Sequence, residues 1–278
     1  MAMNITAKSF IYDNVNCETF GLMICEVGGS GGISTSKLGA DITVSSSSTY
    51  GNDIFTYTNN SYDKPLTISQ FDLCCIDDNC IPQEIDSNKA RAIGRWLHQK
   101  NTGFKRLQFC DEDNADIIYY AKPTSIEKIL ISGRVVGFRI GGFETNSPYA
   151  WTDDLEVPIN MTTSQTTFNF MDYGDEVEKI TIPNIKIELL ENCNFEIYNA
   201  LTNSTFKIDN CKQGEIITIN GFKTQLSSNI RTAQEMFKSF NNVFFNYTNT
   251  YRNFVNPLTI KGKANITITT RFPRKVGE

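Results

Sequence analysis

The chain has 278 residues, 40% of them hydrophobic and 12% aromatic, which suffices for packed cores and excludes a disordered chain. Its 26 Lys and Arg against 31 Asp and Glu give a net charge of −5, which excludes a protein that grips nucleic acid with its whole surface, though not a local basic patch. No stretch reaches the roughly 18 apolar residues of a membrane helix, and Met1–Tyr12 lacks the apolar run of an export signal, so folding in a cytoplasm is expected.

Strand signals dominate the first half. Ser9–Asp13 and Gly21–Val27 are short apolar runs separated by polar turn residues. The Gly/Ser stretch Gly28–Lys37 follows, and then a further strand signal from Asp41. Asp53–Leu73 reads as one long hairpin turning near Asn59–Lys64. Its apolar residues change phase between Ile68 and Phe71, which predicts a bulge at Ser69–Gln70. The best helix opens after Asp86 or Ser87, either of which can cap it. Ala90, Ile93, Trp96 and Leu97 share its apolar face, and Arg91 and Arg95 sit four apart on a neighbouring one. Asn101 and Gly103 are its stop signals. A second hairpin turns at Ser132–Gly133, with Val136, Phe138 and Ile140 on one face of its return arm.

Thr145–Asp154 has the composition of a linker, with Pro148 and the Asp153–Asp154 pair. The remainder is a series of short strands, as a sandwich requires. Asn220-Gly221 is a two-residue hairpin signal, because both positions of that turn need positive φ. Arg231–Asn246 is ambiguous; the Asn pair before Phe244 and Phe245 interrupts helical periodicity and favours extended structure.

The eight cysteines show no disulfide-scaffold spacing and are read as reduced, mostly buried thiols. The six Asn-x-Ser/Thr sequons carry no meaning in a chain without export. Trp96, the single histidine His98 and the neighbouring cations could suit a nucleic-acid grip. The acidic segment Asp111–Asp116 and the net charge favour a helix packed on a sheet instead. Cys74, Cys75, Cys80, Cys110 and His98 contain zinc-binding atoms, but adjacent cysteines in a strand point to opposite faces and Cys80 is too loosely spaced. No metal or cofactor is expected. Gly28–Gly32 lacks the Lys-Ser/Thr of a phosphate loop. Asp111–Asp116 opens like a calcium loop but has Asp116 where glycine is required and Lys122 where glutamate is required. Nothing selects a catalytic constellation, so no enzyme is expected.

The ordered set of phrases carries more than any one of them. "SFIYDNVNCETFGLMICEVG", "YDKPLTISQFDLC", "ARAIGRWLHQKNTGFKRLQFCDEDNADIIYYAKPTSIE" and "SGRVVGFRIGGFETNSPYAW" resemble, in order, the N-terminal domain of siphophage distal tail proteins. "NFEIYN", "NCKQGEIITING" and "NITITTRFPRKVG" resemble their C-terminal part. The resemblance implies a mainly β fold: an N-terminal β-sandwich or split barrel with one α-helix over 1–148, and a galectin-like β-sandwich over 149–278. The strand at 265–272 either stays in the second domain or returns to the first.

The same resemblance implies a hexameric ring that joins the tail tube protein to the tail-tip hub and to receptor-binding or baseplate proteins. DNA would only pass through its channel. Such a protein belongs to the virion, assembles in the host bacterial cytoplasm and needs no membrane.

On this reading the Arg91–Phe109 stretch is architecture, with Ile93, Trp96 and Leu97 as the core of the helix. A head-to-tail ring needs two different patches to meet. The basic residues Arg91, Arg95, Lys100, Lys105 and Arg106 and the acidic residues Asp111, Glu112, Asp113 and Asp116 are candidates, with the basic C-terminus Arg271–Glu278 as an alternative positive partner. A competing function is a carbohydrate-binding module in the C-terminal sandwich, for which Trp151 is poorly placed and Tyr198 is a weak stacking residue. A single-domain tube or adaptor subunit fits the length less well.

Overall fold

The computed structural model describes residues 7–25, 40–48, 56–77, 81–100, 102–112 and 114–276. The chain forms two compact units. One comprises Met1–Trp151 with the last four residues, Lys275–Glu278; the other is Thr152–Arg274.

In chain order the first unit contains β1 (Phe10–Tyr12), β2 (Val15–Asn16), β3 (Met23–Cys25), β4 (Ile42–Ser47), β5 (Thr56–Tyr62), β6 (Thr67–Ile68) and β7 (Phe71–Cys74). Then come α1 (Ser87–Leu97), β8 (Lys105–Phe109), β9 (Tyr119–Pro123), β10 (Ile126–Ile131), β11 (Arg134–Ile140), β12 (Phe143–Thr145) and β13 (Ala150–Trp151). One sheet has the order β2-β1-β8-β9-β12-β6 and another β10-β11-β7-β3. Both sheets and α1 feed one core, in which Phe10, Leu73, Ile93, Leu107, Tyr119, Ile140 and Phe143 are almost fully buried.

The predicted hairpin over Asp53–Leu73 does not form. β5 pairs with β4, while β6 pairs with β12 and β7 with β11 and β3. The phase change at Ser69–Gln70 is real, but it marks the point where the chain leaves one sheet for the other, so both halves keep an inward face: Leu66 and Ile68, then Phe71 and Leu73, are buried. The β10–β11 hairpin does turn at Ser132–Gly133, at φ 50° and 78°, which Gly133 adopts without steric cost. Val136, Phe138 and Ile140 are buried on its return arm.

The second unit contains β14 (Leu155–Asn160), β15 (Gln165–Met171), β16 (Asn184–Leu189), β17 (Cys193–Asn199), β18 (Ser204–Cys211), β19 (Ile216–Asn220), β20 (Gln225–Ser228), α2 (Ala233–Ser239), β21 (Val255–Lys261), β22 (Ala264–Thr270) and β23 (Pro273–Arg274). Its two antiparallel sheets have the orders β14-β22-β16-β19-β20 and β15-β21-β17-β18. Strict alternation builds their shared core. Ile185, Ile187 and Leu189 point inward from β16, Ile266 and Ile268 from β22, and Phe195 and Ile197 from β17. The strand over 265–272 stays in this unit, with β22 paired to both β14 and β16.

Two further readings of the sequence are corrected here. Asn220-Gly221 is not a two-residue turn, because Asn220 pairs with Gln225 and the loop runs from Gly221 to Thr224. Gly221 is required for closeness, since a Cβ there would lie 1.9 Å from the Ile182 carbonyl oxygen. Arg231–Asn246 is not extended throughout. Thr232 and Glu235 form a reciprocal capping box that starts α2, which buries Met236. The Asn241–Asn242 pair does lie beyond the helix, and Asn242 has φ 62°.

The cysteines are also not all reduced. Cys25 on β3 and Cys74 on β7 form a disulfide across neighbouring strands. Of the free thiols, Cys17 and Cys211 are buried, Cys75 and Cys193 are half-buried and Cys110 is exposed.

Candidate functional site

α1 owes its start to Asp86, whose carboxylate accepts from the backbone N–H groups of Lys89 at 2.9 Å and Asn88 at 2.8 Å. These bonds hold the Asp86 carboxyl below its ordinary range. Trp96 sets the helix's orientation. Its ring stacks on Phe20 at 5.2 Å and on Phe10 at 5.7 Å, and its indole Nε1 donates to the Tyr12 carbonyl at 2.9 Å. Ala90, Ile93 and Leu97 are buried on the same side. The opposite side is a stripe of Asn88, Arg91, Arg95 and His98, all exposed, at spacings of three and four. Among the described residues the side chains of Arg91, Arg95 and His98 have neither a hydrogen bond nor an ion pair.

Two open grooves flank this stripe and meet at Arg91. The first, of about 700 Å³, is lined by Asn88, Arg91, Gly94, Arg95 and His98. The second, of about 600 Å³, runs from Glu84–Ser87 past Ala90 and Arg91 to Lys128 and Gly133–Val135 of the β10–β11 hairpin. The Ile85 N–H donates to the Val135 carbonyl at 2.7 Å and ties the helix start to that hairpin. Arg134 is paired with Glu84 at 3.2 Å on the rim, whereas Lys128 has no partner among the described residues. Sequence reasoning missed Lys128 and Arg134, because the strand pairing that brings them beside α1 is non-local.

The other candidates are dispersed. Lys105 is held by Asp13 at 3.1 Å, and Arg106 donates to Gln108 at 3.0 Å. Asp111 is turned back on its own loop, accepting from the Asn114 N–H at 2.7 Å and from its Nδ2 at 3.0 Å. Glu112 and Asp116 are exposed; Asp113 lies outside the described residues. In the basic C-terminal segment, Arg271 is paired with Asp154 and Arg274 donates to the Tyr173 carbonyl at 2.6 Å, so both arginines are engaged within the second unit.

The cysteine and histidine candidates do not converge. Cys74 is in the disulfide, Cys75 has Lys89 Nζ 3.7 Å from its sulfur, Cys110 is exposed and His98 is on the α1 stripe. Cys80 and Gly28–Lys37 lie outside the described residues. Among the described residues no three His, Cys, Asp or Glu side chains gather as a metal site. Burial pushes the Cys17 and Cys211 thiols up to about 11. No helix among the described residues is long and apolar enough to cross a membrane.

In the second unit the two rings singled out from sequence are not free platforms. Tyr198 is half-buried with its hydroxyl 3.3 Å from Asn203 Oδ1, and Trp151, half-buried in the first unit, meets Tyr149 edge-on at 5.4 Å. The exposed rings are elsewhere. Tyr173 is 54% and Tyr251 91% exposed, and Phe254, 50% exposed, lies 6.2 Å from the Tyr173 ring.

Residues 5–147 match a family described as phage tail protein N-terminal domain, and residues 149–270 match its companion, phage tail C-terminal domain. The chain belongs to this phage tail protein family. It is therefore a component of a phage particle's tail. The mainly β fold agrees with that assignment. The crystal structure of the Dit protein of phage SPP1, described as a paradigm of the hub adsorption apparatus in phages infecting Gram-positive bacteria, matches with a TM-score of 0.61. That match has 13% identity and covers 95% of this chain and 98% of the other, so it speaks for the fold. The baseplate of phage p2 in its activated conformation gives a TM-score of 0.45 at 11% identity, over 94% of this chain and 97% of the other. No curated protein sequence matches.

Proposed function

We propose that this phage tail protein is a distal tail protein: a structural, non-enzymatic ring at the tail tip that joins the tail tube to the hub and leaves a channel for DNA. The observation that carries this reading is the joint one. Both family domains occur in one chain, and the fold is shared along 95% of its length with a hub protein. The charge balance supports it, because a ring of subunits with net charge −5 would not retain a polyanion passing through it. Six copies, assembled in the host cytoplasm, would form the ring, with the first unit as the ring-forming domain. Immunogold labelling of intact particles tests the position. Label confined to the tail end away from the capsid supports the reading, and label along the tube overturns it.

A second reading, saccharide binding by the second unit, is favoured by one observation. The Asp172 N–H donates to the Phe254 carbonyl at 2.9 Å, which fixes Tyr173 and Phe254 beside each other with about half of each exposed. Fixed, half-exposed rings suit the apolar face of a sugar. A glycan array with wild type and the Tyr173→Ala/Phe254→Ala variant tests it; signal that survives in the variant rules it out.

A further inference from the structure

Resting on the ring reading, we propose that the cationic groove along α1 receives the acidic loop after β8 from a second copy of the chain, with Glu112 as its charged contact. The argument begins with charge that the fold leaves unbalanced. Arg91, Arg95 and Lys128 line two grooves that meet at Arg91, and none of the three has a partner among the described residues; the groove's own carboxylates, Glu84 and Asp86, are engaged by Arg134 and by the first N–H groups of α1. They stand together although acids outnumber bases in the sequence. A local concentration of like charge is self-repelling until an opposite surface covers it.

The groove is also shaped to be covered. Ala90, Val135 and the buried Ile85 give it an apolar lining, and the Ile85–Val135 backbone bond joins its two walls. Walls already joined reduce the ordering cost of docking.

The occupant follows from complementarity. The loop after β8 is exposed at Glu112 and Asp116; Asp116 is engaged within the chain, whereas Glu112 has no partner among the described residues. Two bonds link Asn114 to Asp111 across the loop. Basic groove and acidic loop are different patches of the same unit, which is what a head-to-tail contact needs in order to repeat into a closed ring. The structure also removes two candidates named from sequence. Lys105 and Arg106 are engaged by Asp13 and Gln108, and their place is taken by Lys128, with Arg134 on the rim.

The test uses the full chain in three forms: wild type, Arg91→Glu/Arg95→Glu, and Glu112→Lys. Circular dichroism melts confirm that each is folded, since every substituted side chain is exposed. Assembly is read by light scattering coupled to size exclusion at low salt. Either variant alone is expected to lose ring formation by on the order of a hundredfold in the concentration required, and an equimolar mixture to recover it, because alternating subunits restore opposite charges at every contact. Raising the salt should narrow the difference between wild type and variants.

If wild type and both variants form rings alike, the inference is overturned and the ring reading stands. If wild type stays monomeric at every concentration, the ring reading falls and this inference with it. If the mixture fails to recover, the groove and the loop are not each other's partners. Loss of binding to a DNA duplex probe in Arg91→Glu/Arg95→Glu, with rings unaffected, would assign the groove to a polyanion instead.

Discussion

Glu215→Gln isolates the most buried charge among the described residues. Glu215 is fully buried and Arg231 is 10% exposed at its side chain. Arg231 donates from Nε to Oε1 and from Nη2 to Oε2 of Glu215, both at 2.8 Å. Ser228 Oγ donates to Oε1 at 2.7 Å and the Lys212 N–H to Oε2 at 3.1 Å. Arg231 also bonds the Asp209 carbonyl and Ser239 Oγ, so the pair fastens α2 to β18 and β19.

Glutamine keeps the volume but leaves the guanidinium buried without its counter-charge. Breaking one side of a buried pair costs about 3–5 kcal/mol; glutamine's one oxygen can still accept from the Lys212 N–H and its NH2 can donate to Ser228 Oγ, which places this variant near 3. At roughly 3 °C per kcal/mol, the second unit should melt about 10 °C lower. Burial alone would raise the Glu215 carboxyl, but the bonds from Arg231, Ser228 and Lys212 outweigh it and hold the carboxyl below its ordinary 4.5. A depressed acid stabilises the fold fully above its unfolded value, and the effect is lost as pH falls through the folded value.

The gap between wild type and variant should therefore be widest at neutral pH and close progressively below about pH 4. Differential scanning calorimetry across that range measures it. An unchanged melting point at neutral pH, or a gap that is the same in acid, would refute the reasoning.

Other expectations follow from single contacts. Trp96→Ala removes two stacked rings and the bond to the Tyr12 carbonyl, and should destabilise the first unit by about 3–5 kcal/mol in denaturant melts. Gly221→Ala forces a methyl against the Ile182 carbonyl, and should cost about 1–3 kcal/mol in the second unit. Reductant should lower the first unit's melting temperature, and Cys25→Ser should abolish that sensitivity, because the Cys25–Cys74 link closes a 49-residue separation and is worth about 4 kcal/mol. In a timed maleimide reaction at mildly alkaline pH, exposed Cys110 should label well ahead of Cys17 and Cys211, whose burial keeps them as thiols.

What was legible in the sequence was what local spacing decides. The period of Ala90, Ile93, Trp96 and Leu97 placed α1, and the Ser132–Gly133 signal placed the β10–β11 turn. Alternation placed the strands of the second unit. Partner choice was not legible, because β5 pairs backwards with β4 rather than forwards, and no local signal distinguishes the two. α2 was missed although the Thr232–Glu235 box that starts it is a local signal, because the Asn241–Asn242 break outweighed it in a helix of only seven residues, and its position depends on the buried pair with Glu215, sixteen residues from Arg231. The same limit applies to the assembly surface. Arg91 and Arg95 could be named from the helix period, but Lys128 joins them only through folding, and the Asp13 contact that occupies Lys105 crosses 92 residues.

The most direct measurement of the central claim is the mass of the purified wild-type chain by light scattering coupled to size exclusion over a concentration series. The account predicts a discrete species of about 190 kDa, six times the 31.4 kDa chain, that appears as a ring with a central hole in negative stain. A single species of 31.4 kDa at every concentration would contradict it.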